Sequence, residues 1–375
     1  MTEKVTREQV LAYRMWAQGL HRETADPVDL AIFDLGVQDS NVQSARTAIA
    51  VRLQDVDRLG EIDTDAFTMI WSHRASPHLH RSAELPELAA ALWPLSERDA
   101  VLRLAQRGKE MSQGGRSVLE AWELVTETMR EVVVHPMTKG EASAAMTARL
   151  PDDLSAFCRG CNSTHIFDSL MRVAGVPAGV ARARERSGPA LVLEQIEGWK
   201  RVAASPKAAT AMIRQYLRLH GPANQIDVAA FLSTNRSELG DVWPDDLIEV
   251  NVDGKASWIP EESFGMLIVP PDAPQVRLLP LWDPFLQARD RGLLVPDKAR
   301  QKQLWTMLAS PGALVLDGEV AGTWRAKMGG KRRLELTVKP FETPGRDVRA
   351  AMEGEAAIIA KARGAEDVNL VIAAC

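Results

Sequence analysis

The stretch Leu247-Ile248-Glu249-Val250-Asn251-Val252-Asp253-Gly254-Lys255 alternates as a half-buried strand and reaches an Asp-Gly turn before Trp258-Ile259, which predicts a hairpin. Upstream of it, Ala211–Leu219 reads as a helix, Gly221-Pro222-Ala223 as a turn and Gln225–Leu232 as another helix. Helix, turn, helix and hairpin is winged-helix order. Earlier in the chain, Val132–Lys139 reads as a strand and a proline turn leading into a capped helix that runs to Leu150. The N-terminal part predicts helices around 6–18, 28–35 and 41–53, then an extended region near Phe67–Leu79 interrupted by Pro77. Between Leu85 and Arg130 the pattern is helical and breaks at Gly114-Gly115. In the last hundred residues, Val276–Leu281 and Ala313–Leu316 are strand-like, and Val320–Trp324 faces Leu334–Val338 across Met328-Gly329-Gly330. A helix over 346–363 and a strand over 368–373 close the chain. The expected architecture is α+β, a tandem array of winged helices over 1–85, 131–204 and 205–265. A helical region over 86–130 links the first two, and a C-terminal β-rich α+β domain over 266–375 carries a basic hairpin.

At 375 residues the chain can bury more than one core, and 25% charged with 46% hydrophobic residues is a soluble globular balance. No apolar run reaches membrane-spanning length and no signal-peptide core follows Met1, so a cytoplasmic protein is expected, with no membrane partner. Three cysteines do not make a disulfide framework and fit a reducing compartment. A formal net charge of -5 means that nucleic-acid binding requires locally concentrated basic residues. The ten tryptophans are scattered and read as core.

Four clusters carry candidate chemistry. In Leu35-Gly36-Val37-Gln38-Asp39-Ser40, an amide, a carboxylate and a hydroxyl share a turn between two predicted helices. Asp26-Pro27 starts the first helix, Gly36 ends it, and Ser40 with Gln43 has the form of a capping box for the second. Asp39 or Ser40 can serve as a cap; alternatively Gln38 and Asp39 hold and deprotonate a water, with the helix N-terminus favouring the negative charge.

Trp71–Arg81 holds three of the seven histidines within eight residues, namely His73, His78 and His80, beside Arg74, Arg81, Ser72 and Ser76. It reads either as a solvated loop or as a phosphate and sugar contact, with strand alternation placing His78 and His80 on one face. Cys158, Cys161 and His165 have the spacing of three zinc ligands, with Asp168, Cys375 or a distant histidine as the missing fourth; buried small thiols fit equally, and no metal is favoured. Finally, Arg325, Lys327, Lys331, Arg332 and Arg333 put five positive charges in nine residues around Gly329-Gly330, a solvated tip or a phosphate clamp.

Taken in order, Leu35-Gly36-Val37-Gln38 with Ser44-Ala45, the Trp71–His78 segment, Gly221-Pro222-Ala223, Leu278–Phe285 with Asp283, Arg289-Asp290-Arg291, and Gly322-Thr323-Trp324-Arg325 resemble the AlkZ-type winged-helix DNA glycosylase family over nearly the whole chain. The resemblance implies three tandem winged helices around a concave channel for double-stranded DNA, a basic hairpin probing the duplex, and no cofactor. It also implies excision of alkylated or crosslinked bases by a catalytic pair written Gln-x-Gln, or Gln-x-Asp in a sister group. Gln38 matches the first position; Ser40 departs from the second, and Asp39 stands between them. The expected protein is a monofunctional, monomeric glycosylase in which Gln38 positions water, Asp39 acts as general base, and Ser40, Arg74, Ser76 and His78 support the site. DNA contacts are assigned to His73, His80, Arg81, Arg325, Lys327, Lys331, Arg332 and Arg333, with Asp283 and Arg291 as further family landmarks. A non-catalytic DNA-binding regulator or damage sensor is the alternative.

Overall fold

In the computed structural model, which describes residues 2–40, 43–183, 190–306 and 310–374 and of Lys331 the backbone alone, Asp253 and Gly254 both take positive φ (49° and 82°) and turn Leu247–Val252 into Lys255–Pro260. Glycine adopts such a φ at no steric cost, so this turn forms where the sequence places it. The Pro206–His220 and Gln225–Leu232 helices precede it. The chain is a mixed α+β protein. It forms two compact units, one of residues 1–64, 214–227 and 245–375 and one of residues 65–213 and 228–244.

In the first unit Glu3–Val5 runs parallel to Leu247–Val252, completing a three-stranded sheet. Val10, Tyr13 and Ala17 of the Arg7–Ala17 helix pack with Val5, Val250, Val252 and Ile259. A five-stranded sheet follows in the order Val276–Leu279, Gly312–Leu316, Glu319–Met328, Arg333–Pro340 and Asp367–Ile372. Its first four strands are antiparallel; the last is parallel to its neighbour, and the Arg346–Ala362 helix supplies the crossover that a parallel pair requires. Met352, Ala356 and Ile359 of that helix pack on Leu278, Leu314, Trp324 and Leu336.

Two arginines lie fully buried in this unit. Arg52 donates to both carboxylate oxygens of Asp283 at 2.8 and 2.7 Å, and to the carbonyls of Gln18 (2.8 Å) and Ala48 (2.7 Å). Arg14 makes a similar two-pronged pair with Asp290 at 3.0 and 2.6 Å. A buried guanidinium is tolerated when its donors are met by a carboxylate and carbonyls, as here.

The second unit contains strands in the order Pro77–Arg81, Phe67–Trp71, Val180–Arg182, Val192–Gln195 and Met137–Thr138, each antiparallel to the next. Helices Leu85–Leu92, Glu97–Arg103, Ala105–Gln113 and Val118–Val132 fill the region read as helical, with Gly115 at φ 81° ending the third. Thr138 and Glu141 form a capping box that starts the Lys139–Thr147 helix. Trp71, Trp93 and Trp122 lie in this unit's core, the reading given to the tryptophans from composition.

The helices predicted over 28–35 and 41–53 differ in detail. The first is two short 3₁₀ turns, Pro27–Asp29 and Ala31–Asp34, because Asp26 caps Val28 and Leu30 turns extended (ψ 120°) between them. The second is the α-helix Ser44–Ala50; Asn41 and Val42 lie outside the described residues. Among the described residues no helix is long and apolar enough to cross a membrane.

Candidate active-site turn

Gly36 takes φ 78°, its N–H donating to Phe33 O at 3.0 Å, which ends the upstream turn and delivers Val37-Gln38 as a short buried strand. Gln38 is 5% exposed, and its amide Nε2 donates to Ser40 Oγ at 2.7 Å. Asp39 has a different environment. Its Oδ1 accepts from Ala45 N (3.2 Å) and Ser44 Oγ (3.1 Å), and Ser44 Oγ also donates to Gln38 O at 3.2 Å. Asp39 is therefore the acceptor at the first turn of the Ser44–Ala50 helix.

The capping box expected between Ser40 and Gln43 is not formed: Gln43 sits left-handed (φ 65°) and makes no side-chain cap, while Ser40 is turned to Gln38. The turn thus presents an amide–hydroxyl pair, Gln38 and Ser40, and a carboxylate with one oxygen fixed. At the other end of the helix, Arg52 accepts no freedom either, since Asp283 holds it. Asp283, singled out by resemblance alone, anchors the helix behind the turn; its buried partner Arg52 was not read from the sequence. The signal for Arg52 was a charged residue at the end of the otherwise apolar stripe Ala45, Ala48, Ile49. Arg291 stacks on Trp305, its guanidinium carbon 4.8 Å from the ring centroid.

In the second unit the histidine segment is a hairpin, with Ile70 opposite His78 and Thr68 opposite His80. The solvated loop is overturned: His73, His78 and His80 are 2%, 4% and 3% exposed. Their rings cluster, with centroids 5.6 Å apart for His73 and His78 and 6.0 Å for His78 and His80. Burial, reinforced by His80 and Arg74, holds the His78 pKa well below the ordinary histidine range, and burial with nearby Arg81 brings His80 to about 3. Both rings are neutral at physiological pH and so cannot pair with phosphate as cations.

His78 Nδ1 lies 2.9 Å from Ser76 O, which can only accept, so Nδ1 carries the proton; His80 Nε2 lies 2.9 Å from Ser72 Oγ. Arg74 and Ala75 at the hairpin tip take positive φ (56° and 54°), a strained conformation costing on the order of 1–3 kcal/mol each. Arg74 stacks over Phe231 at 5.1 Å and donates to its carbonyl at 3.4 Å. Phe231 was not among the residues expected to matter here. Arg81 is paired with Glu84 at 2.8 Å.

The basic hairpin of the first unit forms as predicted, with Trp324 opposite Val338 and Met328 opposite Leu334. Its charge is partly balanced by acids from the end of the chain, which the local sequence window did not contain. Arg332 pairs with Glu366 at 3.2 Å and Arg333 with Asp367 at 3.1 Å. Arg325 and Lys327 are exposed, and the Lys331 side chain lies outside what is described.

Cys158, Cys161 and His165 come together on the Ser155–Cys158/Ser163–Ile166 hairpin. Backbone amides of Cys161 and Gly160, with the His165 side chain, bring the Cys158 thiol down to about 7, and the neighbouring Cys158 raises Cys161. Cys375 lies outside the described residues.

A family model described as "DNA glycosylase AlkZ-like" matches residues 35–362, beginning at the first residue of the Gln38 turn. The chain belongs to the AlkZ-like DNA glycosylase family. A curated relative, "Interstrand DNA cross-link repair glycosylase" of Streptomyces sahachiroi, is 30% identical over 176 residues, 44% of this chain and 46% of the relative. The alignment thus spans about half the length of that relative. The solved structure "Streptomyces sahachiroi DNA glycosylase AlkZ" aligns with a TM-score of 0.78 over 99% of this chain and 100% of that one, at 21% identity. At that identity the likeness establishes the AlkZ fold.

Proposed function

We propose that the protein is a monofunctional DNA glycosylase that hydrolyses the N-glycosidic bond of alkylated bases in double-stranded DNA, crosslinked ones included. One observation supports the reading beyond family membership: the Gln38–Ser40 bond holds these two side chains together, Gln38 being the residue that the resemblance aligns with the first of the catalytic pair, while Ala45 N and Ser44 Oγ fix the Asp39 carboxylate beside them. Alkylation at a purine ring nitrogen leaves the base positively charged and a good leaving group. What the protein must supply is negative charge for the oxocarbenium-like sugar and a water. Gln38 positions the water, with Ser40 as the second polar group. Asp39 provides the charge and receives the proton, and its anchored Oδ1 keeps the carboxylate from rotating away. The exposed Arg325 and Lys327 contact phosphate. Within the same proposal, the helix, turn, helix and hairpin over 205–265 is one of three tandem winged helices.

No lysine lies between Leu35 and Leu53, so an amine nucleophile for lyase chemistry is not provided by this turn. Incubation with a duplex carrying N7-alkylguanine should release free base and leave an abasic site that breaks only on alkaline heating. Duplex binding without base release from any alkylated substrate would reject the proposal. It would favour a non-catalytic damage sensor, a reading that the serine at the second catalytic position supports.

A further inference from the structure

We propose that Cys158, Cys161 and His165 hold a zinc ion that staples the Ser155–Ile166 hairpin. The three donor atoms lie within 4.8 Å of one another although they come from a strand end, a turn and the facing strand. Bond lengths of about 2.3 Å to sulfur and about 2.1 Å to nitrogen place donors roughly 3.5–3.8 Å apart in a tetrahedral shell, so small side-chain rotations close the site. The backbone is arranged for it. Asn162 takes φ 51°, which turns the chain back after Cys161 and brings the facing strand with His165 alongside Cys158. His165 Nδ1 lies 2.8 Å from Ile166 O, to which it can only donate; this fixes the tautomer and leaves Nε2 for the ion, the usual outer-shell arrangement of a ligating histidine.

The base of the hairpin is held by the core, where Ile166 is buried and its N–H donates to Thr147 Oγ1 at 2.9 Å, so a staple acts on the far end around 158–163; among the described residues its two four-residue strands pair in a sheet only with each other. Phe157 on it is 61% exposed and adds little burial. Asp168 is not available as the fourth ligand, since Lys139 and Arg172 hold it, the latter at 2.7 Å. Among the described residues the cluster supplies three protein donors, which leaves the fourth position of a tetrahedral shell open to water. Two thiolates and a neutral imidazole select a borderline-soft divalent ion over magnesium or calcium.

The test uses the full-length protein purified under reducing conditions without chelator. Metal analysis should find one zinc per chain, and exchange with cobalt should give the thiolate-to-cobalt charge-transfer band. Cys161→Ser, at the exposed tip where folding is least at risk, and His165→Ala should each abolish stoichiometric zinc and the band while the far-UV circular dichroism is kept. Amide exchange in 155–166 should quicken on chelation in the wild type and be insensitive to chelator in the variants. Metal-free protein that gives no cobalt band, zinc retained by both variants, or a Cys158–Cys161 disulfide in the reduced preparation would each overturn the assignment.

Discussion

The Arg52–Asp283 pair tests whether the helix behind the candidate active-site turn is held as described. Both side chains are 0% exposed and joined by two bonds of 2.7 and 2.8 Å. Asp283→Asn keeps the size and one oxygen acceptor but removes the charge, leaving a buried guanidinium that faces neutral oxygens only, among them the carbonyls of Gln18 and Ala48. Breaking one side of such a pair costs about 3–5 kcal/mol, whereas a surface pair is worth about 0–1 kcal/mol. For a domain of about 200 residues each kcal/mol corresponds to roughly 2–4 °C, so the melting temperature should fall by roughly 6–20 °C. Urea unfolding followed by tryptophan fluorescence, together with a thermal melt, reads both quantities. In a double-mutant cycle, Arg52→Met with Asp283→Leu should be much less destabilised than the sum of the two single variants, because no uncompensated charge is left. A loss below about 1 kcal/mol in Asp283→Asn would show that the pair behaves as a solvated one and would refute the reasoning.

Three further outcomes follow from the geometry. His78 and His80 have folded pKa values depressed below the unfolded value of about 6.5, so the unfolded chain binds more protons as pH falls through 6.5 and toward the folded values; each should cost about 1.4 kcal/mol by pH 5.5. Denaturant titrations at pH 7.5 and 5.5 should therefore show a steep loss in the wild type that is about halved in His80→Asn; an unchanged slope would contradict neutral burial. Asp39→Ala should lose about 1 kcal/mol of stability with the cap, while Asp39→Asn, which keeps an oxygen acceptor for Ala45 N and Ser44 Oγ, should lose little. Replacing Arg325 and Lys327 by glutamine should lower the salt dependence of duplex binding by about 1.8 in log–log slope, and replacing the ion-paired Arg332 and Arg333 should lower it less; equal effects would place the phosphate contacts elsewhere.

The elements that were legible in the sequence are those set by local chemistry. The Asp253-Gly254 hairpin, the capped start of the Lys139–Thr147 helix, the break at Gly114-Gly115 and the strand–helix–strand ending at 372 each follow from turn residues, caps or alternation within a few positions. The turn at Gln38 was legible as a place but not in its wiring. Choosing Asp39 over Ser40 as the cap depends on Gln43 going left-handed, which no local pattern signals. The histidine hairpin misled because His73, His78, His80, Arg74 and Arg81 look solvated as a string, yet Phe231, far along the chain, packs on His73 with ring centroids 5.0 Å apart. The same holds for the basic tip, whose acids Glu366 and Asp367 lie at the start of a parallel strand, and for Arg52, whose partner lies 231 residues away. Long-range pairing of charges was the recurrent blind spot, since a sequence window shows a charge but not what neutralises it.

The most direct measurement of the central claim is single-turnover release of N7-alkylguanine from a duplex by the wild type, Gln38→Ala and Asp39→Asn, with duplex affinity measured in parallel. Loss of a positioning amide or of a general base should slow release by about 10²–10⁴-fold at unchanged duplex affinity, and Asp39→Asn should do so while retaining the cap. Release at the wild-type rate by both variants would contradict the assignment of the catalytic water to this turn.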